Sequence, residues 1–209
     1  VVVGNFTKNN EEWIRFWQSK KCGGYTYPIE LKRFIPIDRK LGEFFGLMQA
    51  ESRKFGSKFD FTNNLVSEHI LFLEISEKYF GISRSQWSYG LICNTKQPKQ
   101  SIDNEKNKFF NELRLDPMKG YYTKSKTTLS FAYCVYIDRK LLNNIMNNLL
   151  ILLRKKVVQE NKSNFIEFSK GFIIKYLLGD GTAVLGKDLT HMDIFLFEND
   201  KDSQRDIIL

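Results

Sequence analysis

With 209 residues and 42% hydrophobic content, the chain can bury one large core or two small ones. Its net charge of +8 and isoelectric point near 9.3 favour an acidic partner, and nucleic acid is the commonest. Cys22, Cys93 and Cys134 lack C-x-x-C spacing and His69 and His191 are far apart, which argues against a disulfide framework, a zinc site or a histidine-rich centre. Reduced thiols are therefore expected, in an intracellular setting that is cytoplasmic or organellar. No apolar run approaches the ~20 residues of a membrane span, so no membrane partner is expected.

Residues 1–36 read as a lead-in, with a short helix in EEWIRFWQSK and a loop in KKCGGYTYP. Trp13 and Trp17, four apart, read as a packing face. Asp38 is an N-cap for a helix over 39–51. KFGSKFDFT reads as a tight hairpin or short strand. A helix over 65–80 follows, with Val66, Ile70, Leu73 and Phe80 near one face, and Gly81 stops it. SQWSYGLIC is strand-like, and the polar stretch 96–126 holds a short helix at NEKNKFFNEL. TTLSFAYCVYI is the strongest strand, with Leu129, Phe131, Tyr133, Val135 and Ile137 on one face. Asp138 then caps a helix carrying Leu141, Ile145, Leu149 and Leu152 on one side.

From Asn161 the pattern restarts. NKSNFIEFSKGFIIKYLLGD is helical, and 182–185 and HMDIFLF are strands. Helix–strands–helix thus occurs twice, complete once and cut short once, which predicts an internal repeat. The expected organisation is a lead-in (1–36), a first half (37–160) and a shortened second half (161–209). The chain has no initiator Met and ends on DIIL in mid-pattern, so a fragment of a longer protein or the product of a decayed gene is expected.

Two stretches carry the chemistry. LGEFFGLMQAES ends on Glu51 and GFIIKYLLGDGT carries Asp180. Aligned on these acids, Gly42 falls on Gly171, Gly46 on Lys175 and Ala50 on Gly179. Small residues four apart share a helix face and let two backbones approach closely. Two such helices packed together would bring both acids together. Close carboxylates repel unless a cation neutralises them, and oxygen ligands with water and phosphate suit Mg2+. A divalent metal on paired acids can activate water and stabilise a leaving oxygen in phosphodiester cleavage.

These residues resemble a known family. FFGLMQAES and IIKYLLGDG look like the two copies of the signature of the LAGLIDADG homing endonucleases. KFDFTNNLVSEHILFLEISEKYFGI is similar to the segment that follows the first motif, and LSFAYCVYIDRKLLNNIMNNLLILL to the strand and helix before the second. The resemblance covers roughly residues 29–209. It implies an α+β fold of two pseudo-symmetric halves, each with helices and a curved antiparallel sheet, and with the signature helices at the interface. It implies a site-specific, Mg2+-dependent enzyme that cuts double-stranded DNA and is encoded by a mobile intron or intein. Glu51 and Asp180 would bind the metal, and Gly42, Gly46, Ala50, Gly171, Lys175 and Gly179 would lie at the helix interface. A monomer is expected if the second half is completed. The alternatives are an RNA-binding maturase that assists intron splicing and a DNA-binding protein with a dead centre.

Lys175 stands where the signature has glycine, and should force the helices apart, extend out to solvent or form a local salt bridge. Ser52 replaces the usual glycine after the first acid. The expected DNA contacts are Arg53, Lys54, Lys58, Arg84, Gln86, Lys96, Lys99, Lys124 and Lys126, on strands and their loops. Lys124 and Lys126 also sit near where the family often keeps a catalytic basic residue. His69 and His191 read as structural or surface residues.

Overall fold

A computed structural model describes residues 2–19, 24, 27–52, 56–115, 120–126, 130–160, 162–185 and 192–196, with the backbone alone for residues 2, 180–185 and 192–196. The class is α+β. Two compact units cut across the linear order: Val1–Pro36 with Phe55–Asn144, and Ile37–Lys54 with Ile145–Leu209.

The first unit opens with β1 (Val2–Lys8), β2 (Glu11–Trp17) and β3 (Ile29–Lys32), an antiparallel sheet in the order β1-β2-β3. The helix expected in EEWIRFWQSK is therefore a strand. Asn9 and Asn10 are both left-handed, with φ of 53° and 60°, and this pair forms the tight turn whose twist suits a two-residue hairpin. That turn commits the following residues to antiparallel pairing. Trp13 and Trp17 still share a face, now by strand alternation, and Trp13 is buried. It packs on Gly81, where an added Cβ would lie 2.2 Å from the indole.

The same unit holds β4 (Phe59–Asn63), α2 (Val66–Ile75), β5 (Ser88–Asn94), α3 (Lys99–Leu113), β6 (Gly120–Ser125) and β7 (Ala132–Ile137). The helix expected over 65–80 ends in a π-turn at Ser76–Phe80, and Gly81, at φ 73°, closes it. The sheet order is β4-β7-β5-β6. It is mixed rather than antiparallel, because β5 and β6 pair in parallel. The cause is α3, longer than the short helix expected there: parallel neighbours need a crossover, and this helix supplies it. β6 itself lies in the stretch read as polar. Of the strand expected at 127–137, only Ala132–Ile137 is strand: Ser130 and Phe131 precede β7 without strand structure, and Leu129 lies outside the described residues.

Helices α2 and α3 cover one face of this sheet. Phe61 stacks on Phe72 at 4.6 Å and Phe109 on Tyr133 at 4.4 Å. His69 is fully buried between them, 4.8 Å from the Phe61 ring. Its Nδ1 lies 2.9 Å from the Leu65 carbonyl and its Nε2 3.0 Å from the Tyr133 carbonyl. It is thus a structural histidine, as one of the sequence readings had it. The Tyr133 hydroxyl donates to Glu105, and burial together with that carboxylate pushes its ionisation upward.

The second unit is built on α1 (Arg39–Glu51) and α5 (Ser163–Asp180). Asp38 caps α1 as expected, accepting from the Leu41 N–H at 2.9 Å. The boundary between the units falls within α4 (Lys140–Gln159). Asp138 does not cap that helix: Asn143 N–H donates to the Arg139 carbonyl, which places Arg139 at the cap position. Beyond α5, β8 (Gly181–Leu185) and β9 (Met192–Leu196) form the expected antiparallel pair. Among the described residues, no helix is long and apolar enough to cross a membrane.

Candidate functional site

The two acid-ending helices pack directly on one another. A Cβ added at Gly42 would lie 1.9 Å from the Phe168 carbonyl oxygen and 2.8 Å from the Phe172 nitrogen. One added at Gly171 would lie 2.0 Å from the Arg39 carbonyl oxygen and 2.9 Å from the Glu43 nitrogen. These contacts are reciprocal, since the offset that maps Gly42 onto Gly171 also maps Arg39 onto Phe168 and Glu43 onto Phe172. Further along, Gly46 faces the Phe172 carbonyl and Gly179 faces Ala50. Both series ascend together, so the helices run parallel. Only glycine permits this approach, because any side chain would occupy backbone of the partner helix.

Lys175 does not force the helices apart. Its Cβ lies 3.0 Å from the position a Cβ would take on Gly46, so the missing side chain on α1 makes room for the lysine stem on α5. The residue is half-buried, in keeping with a stem that packs against the partner helix. Phe45 and Phe168, with ring centroids 6.3 Å apart, fill the space beside the glycines.

Parallel packing brings both C-terminal ends to one place. Glu51 is the last residue of α1 and Asp180 the last of α5. Glu51 Oε1 lies 3.5 Å from where a Cβ on Gly179 would stand, so this carboxylate borders the residue before Asp180. The Asp180 side chain lies outside the described atoms. Each helix presents its negative pole here, and neither has a basic residue in its last turn. Two aligned negative poles, each closed by an acid in the sequence, favour a cation. The oxygen donors suit a hard divalent cation such as Mg2+. Among the described side chains, no group of three or more His, Cys, Asp or Glu gathers around one point, so water and phosphate oxygens would complete such a site. Ser52 closes α1, its N–H donating to the Met48 carbonyl at 3.0 Å.

The basic positions divide by environment. Arg84 is engaged in the fold, donating to the Leu113 carbonyl at 2.6 Å and pairing with Glu77 at 3.5 Å, where it secures the end of α3. Lys58 is half-buried, its ammonium 4.1 Å from the Tyr136 ring centroid. Gln86 is exposed beside β5. Lys96, Lys99, Lys124 and Lys126 are all exposed, and parallel pairing brings them to one region of the first unit. There β5 and β6 end side by side, with Thr95 N–H donating to the Ser125 carbonyl at 3.2 Å. Lys96 and Lys126 follow those strand ends, Lys124 lies within β6, and Lys99 opens α3. Sequence reasoning chose these four lysines one by one. It missed the parallel pair that gathers them, although a strand, a helix and a strand in succession was the available signal. Arg53, Lys54 and His191 lie outside the described residues.

Compared with family models, with curated proteins and with solved structures, the chain matches none of them.

Proposed function

We propose that this chain is a site-specific, Mg2+-dependent DNA endonuclease of the homing type, with two pseudo-symmetric halves meeting at α1 and α5. The observation that supports this reading most is the reciprocal glycine packing, which brings two acidic helix ends to one place. A structural helix pair has no need of an acid at both negative poles, where each carboxylate is unfavourable without a cation.

Glu51 and Asp180 would hold the metal, which when bound supplies Lewis acidity and an activated water for phosphodiester hydrolysis. The chain's own residues do the rest. Gly42, Gly46, Gly171 and Gly179, with Ala50, set the helix separation and hence the spacing of the two acids. The lysines at the ends of β5 and β6 neutralise backbone phosphates and hold the duplex in register.

The test is incubation of the protein with DNA of its own insertion locus, the intron or intein removed, with Mg2+ or with EDTA. Metal-dependent double-strand cleavage at one position is expected. Glu51→Ala or Asp180→Ala should lower the cleavage rate by at least about a hundredfold while binding persists. Cutting that survives both substitutions removes the assigned centre.

A further inference from the structure

The first unit holds a cavity of about 330 Å³ between β3 and the start of α4. Its apolar wall is Ile29 on β3, Ile82 after the π-turn, Ile137 at the end of β7 and Leu142 in the first turn of α4. The cavity follows from how the chain leaves the sheet. β7 stops at Ile137, and Arg139 N–H donates to the Ile137 carbonyl at 2.8 Å, so a tight turn redirects the backbone into α4. β3 is the last strand of its sheet and pairs with β2 alone, so side chains rather than a further strand bound the space beside it.

Glu30, Gln86 and Arg139 also line it. The Glu30 charge is already compensated. Arg15 donates to its Oε1 from Nε at 2.9 Å and from Nη2 at 2.6 Å, and Lys8 Nζ stands 3.9 Å from its Oε2. Arg139 differs. It is half-buried, and among the described residues its guanidinium has neither a hydrogen-bond acceptor nor an ion-pair partner. The exposed Gln86 amide has no partner among them either. A guanidinium taken partly out of water without an acceptor is unfavourable, and an anion in the cavity would remove that penalty.

We infer that this cavity binds a small monocarboxylic acid with an apolar body, its carboxylate taken by Arg139 and Gln86 and its body lying against Ile29, Ile82, Ile137 and Leu142. The volume lies at the small end of the range for ligand pockets, about 300–1,000 Å³, and apolar walls with a few polar groups are their usual make-up. The chemistry chooses a carboxylate over a phosphate. A planar guanidinium matches a planar carboxylate through two parallel hydrogen bonds, and an amide adds a neutral donor. A phosphate dianion would meet one uncompensated cation and the Glu30 carboxylate on the same wall. This inference does not rest on the endonuclease reading.

Isothermal titration calorimetry of the full chain tests it. The probes are hexanoate, hexylammonium with the opposite charge, acetate without the apolar body, and inorganic phosphate. Hexanoate should bind saturably with a Kd of about 1 mM or tighter, and at least about tenfold tighter than each of the other three. Arg139→Gln should weaken hexanoate about tenfold or more, because a charge-assisted pair is lost. Arg139→Lys should recover only part of that loss, since an ammonium lacks the planar fork. Ile29→Trp should fill the cavity and abolish binding, with circular dichroism reporting that the fold persists. Hexylammonium binding as tightly as hexanoate would overturn the inference, as would tighter binding of phosphate, wild-type affinity in a folded Arg139→Gln protein, or no saturable binding of hexanoate. Neither DNA nor a divalent cation enters the titration, so either result leaves the nuclease assignment to its own test.

Discussion

His69 shows how one buried side chain sets a pH limit. Burial holds its pKa down to about 4, against the two backbone carbonyls at its ring nitrogens, which favour the charged form. In the unfolded chain the imidazole titrates near its ordinary 6.5. Between these values the unfolded state takes up a proton that the folded state refuses, so stability falls as pH drops from about 6.5 toward 4 and then levels off. The loss should reach about 3 kcal/mol. Urea unfolding at stepped pH measures it, and His69→Leu should remove this component while costing about 1–3 kcal/mol at neutral pH from the one carbonyl that the single N–H of the neutral ring satisfies. Gly81 is a second residue with a narrow requirement. At φ 73° with an indole against it, Gly81→Ala incurs both backbone strain and a clash, and should lower stability by about 2 kcal/mol in the same assay.

At the scale of elements, α1 and α5 act as one object. Gly42 and Gly171 occupy equivalent places, each against a carbonyl oxygen of the other helix. Gly42→Ala and Gly171→Ala should each cost about 3 kcal/mol, the upper part of the usual range for overpacking, because the obstacle is backbone rather than a movable side chain. Calorimetric melting reads this directly. Lys175→Ala should lower stability by about 1 kcal/mol, since its stem fills the gap that Gly46 leaves. A large loss there would mean that the lysine organises the interface instead of being tolerated by it.

For the molecule as a whole, the proposed function makes charge the main source of DNA affinity. Each neutralised phosphate contributes a slope of about −0.9 in log K against log salt on duplex DNA. Removing Lys124 and Lys126 together, by K124A and K126A, should flatten that slope by about 2 and weaken binding across all duplex sequences alike. Filter binding from low to moderate salt is the measurement. A variant that keeps the wild-type slope but cleaves more slowly would give these lysines the catalytic role that the resemblance implies in place of phosphate contact.

The sequence by itself determined the features that depend on local pattern. Small residues at helical spacing in 41–52 and 171–182 announced two helices able to touch, and an acid closed each. The Asp38 cap and the Gly81 stop are chemistry of single positions, and were legible for that reason. Tertiary structure decided what depends on partners far away in the chain. EEWIRFWQSK has apolar residues compatible with helix or strand, and pairing across the Asn9–Asn10 turn made it a strand. Lys175 reads as an obstacle until Gly46 is found opposite it. Arg84 reads as a free cation until the Leu113 carbonyl is found to hold it. Tyr121 lies over Gly90 only because a helical crossover lays β6 parallel to β5. Spacing along the chain fixes which side a residue takes on its own element, but only packing fixes which element lies across from it.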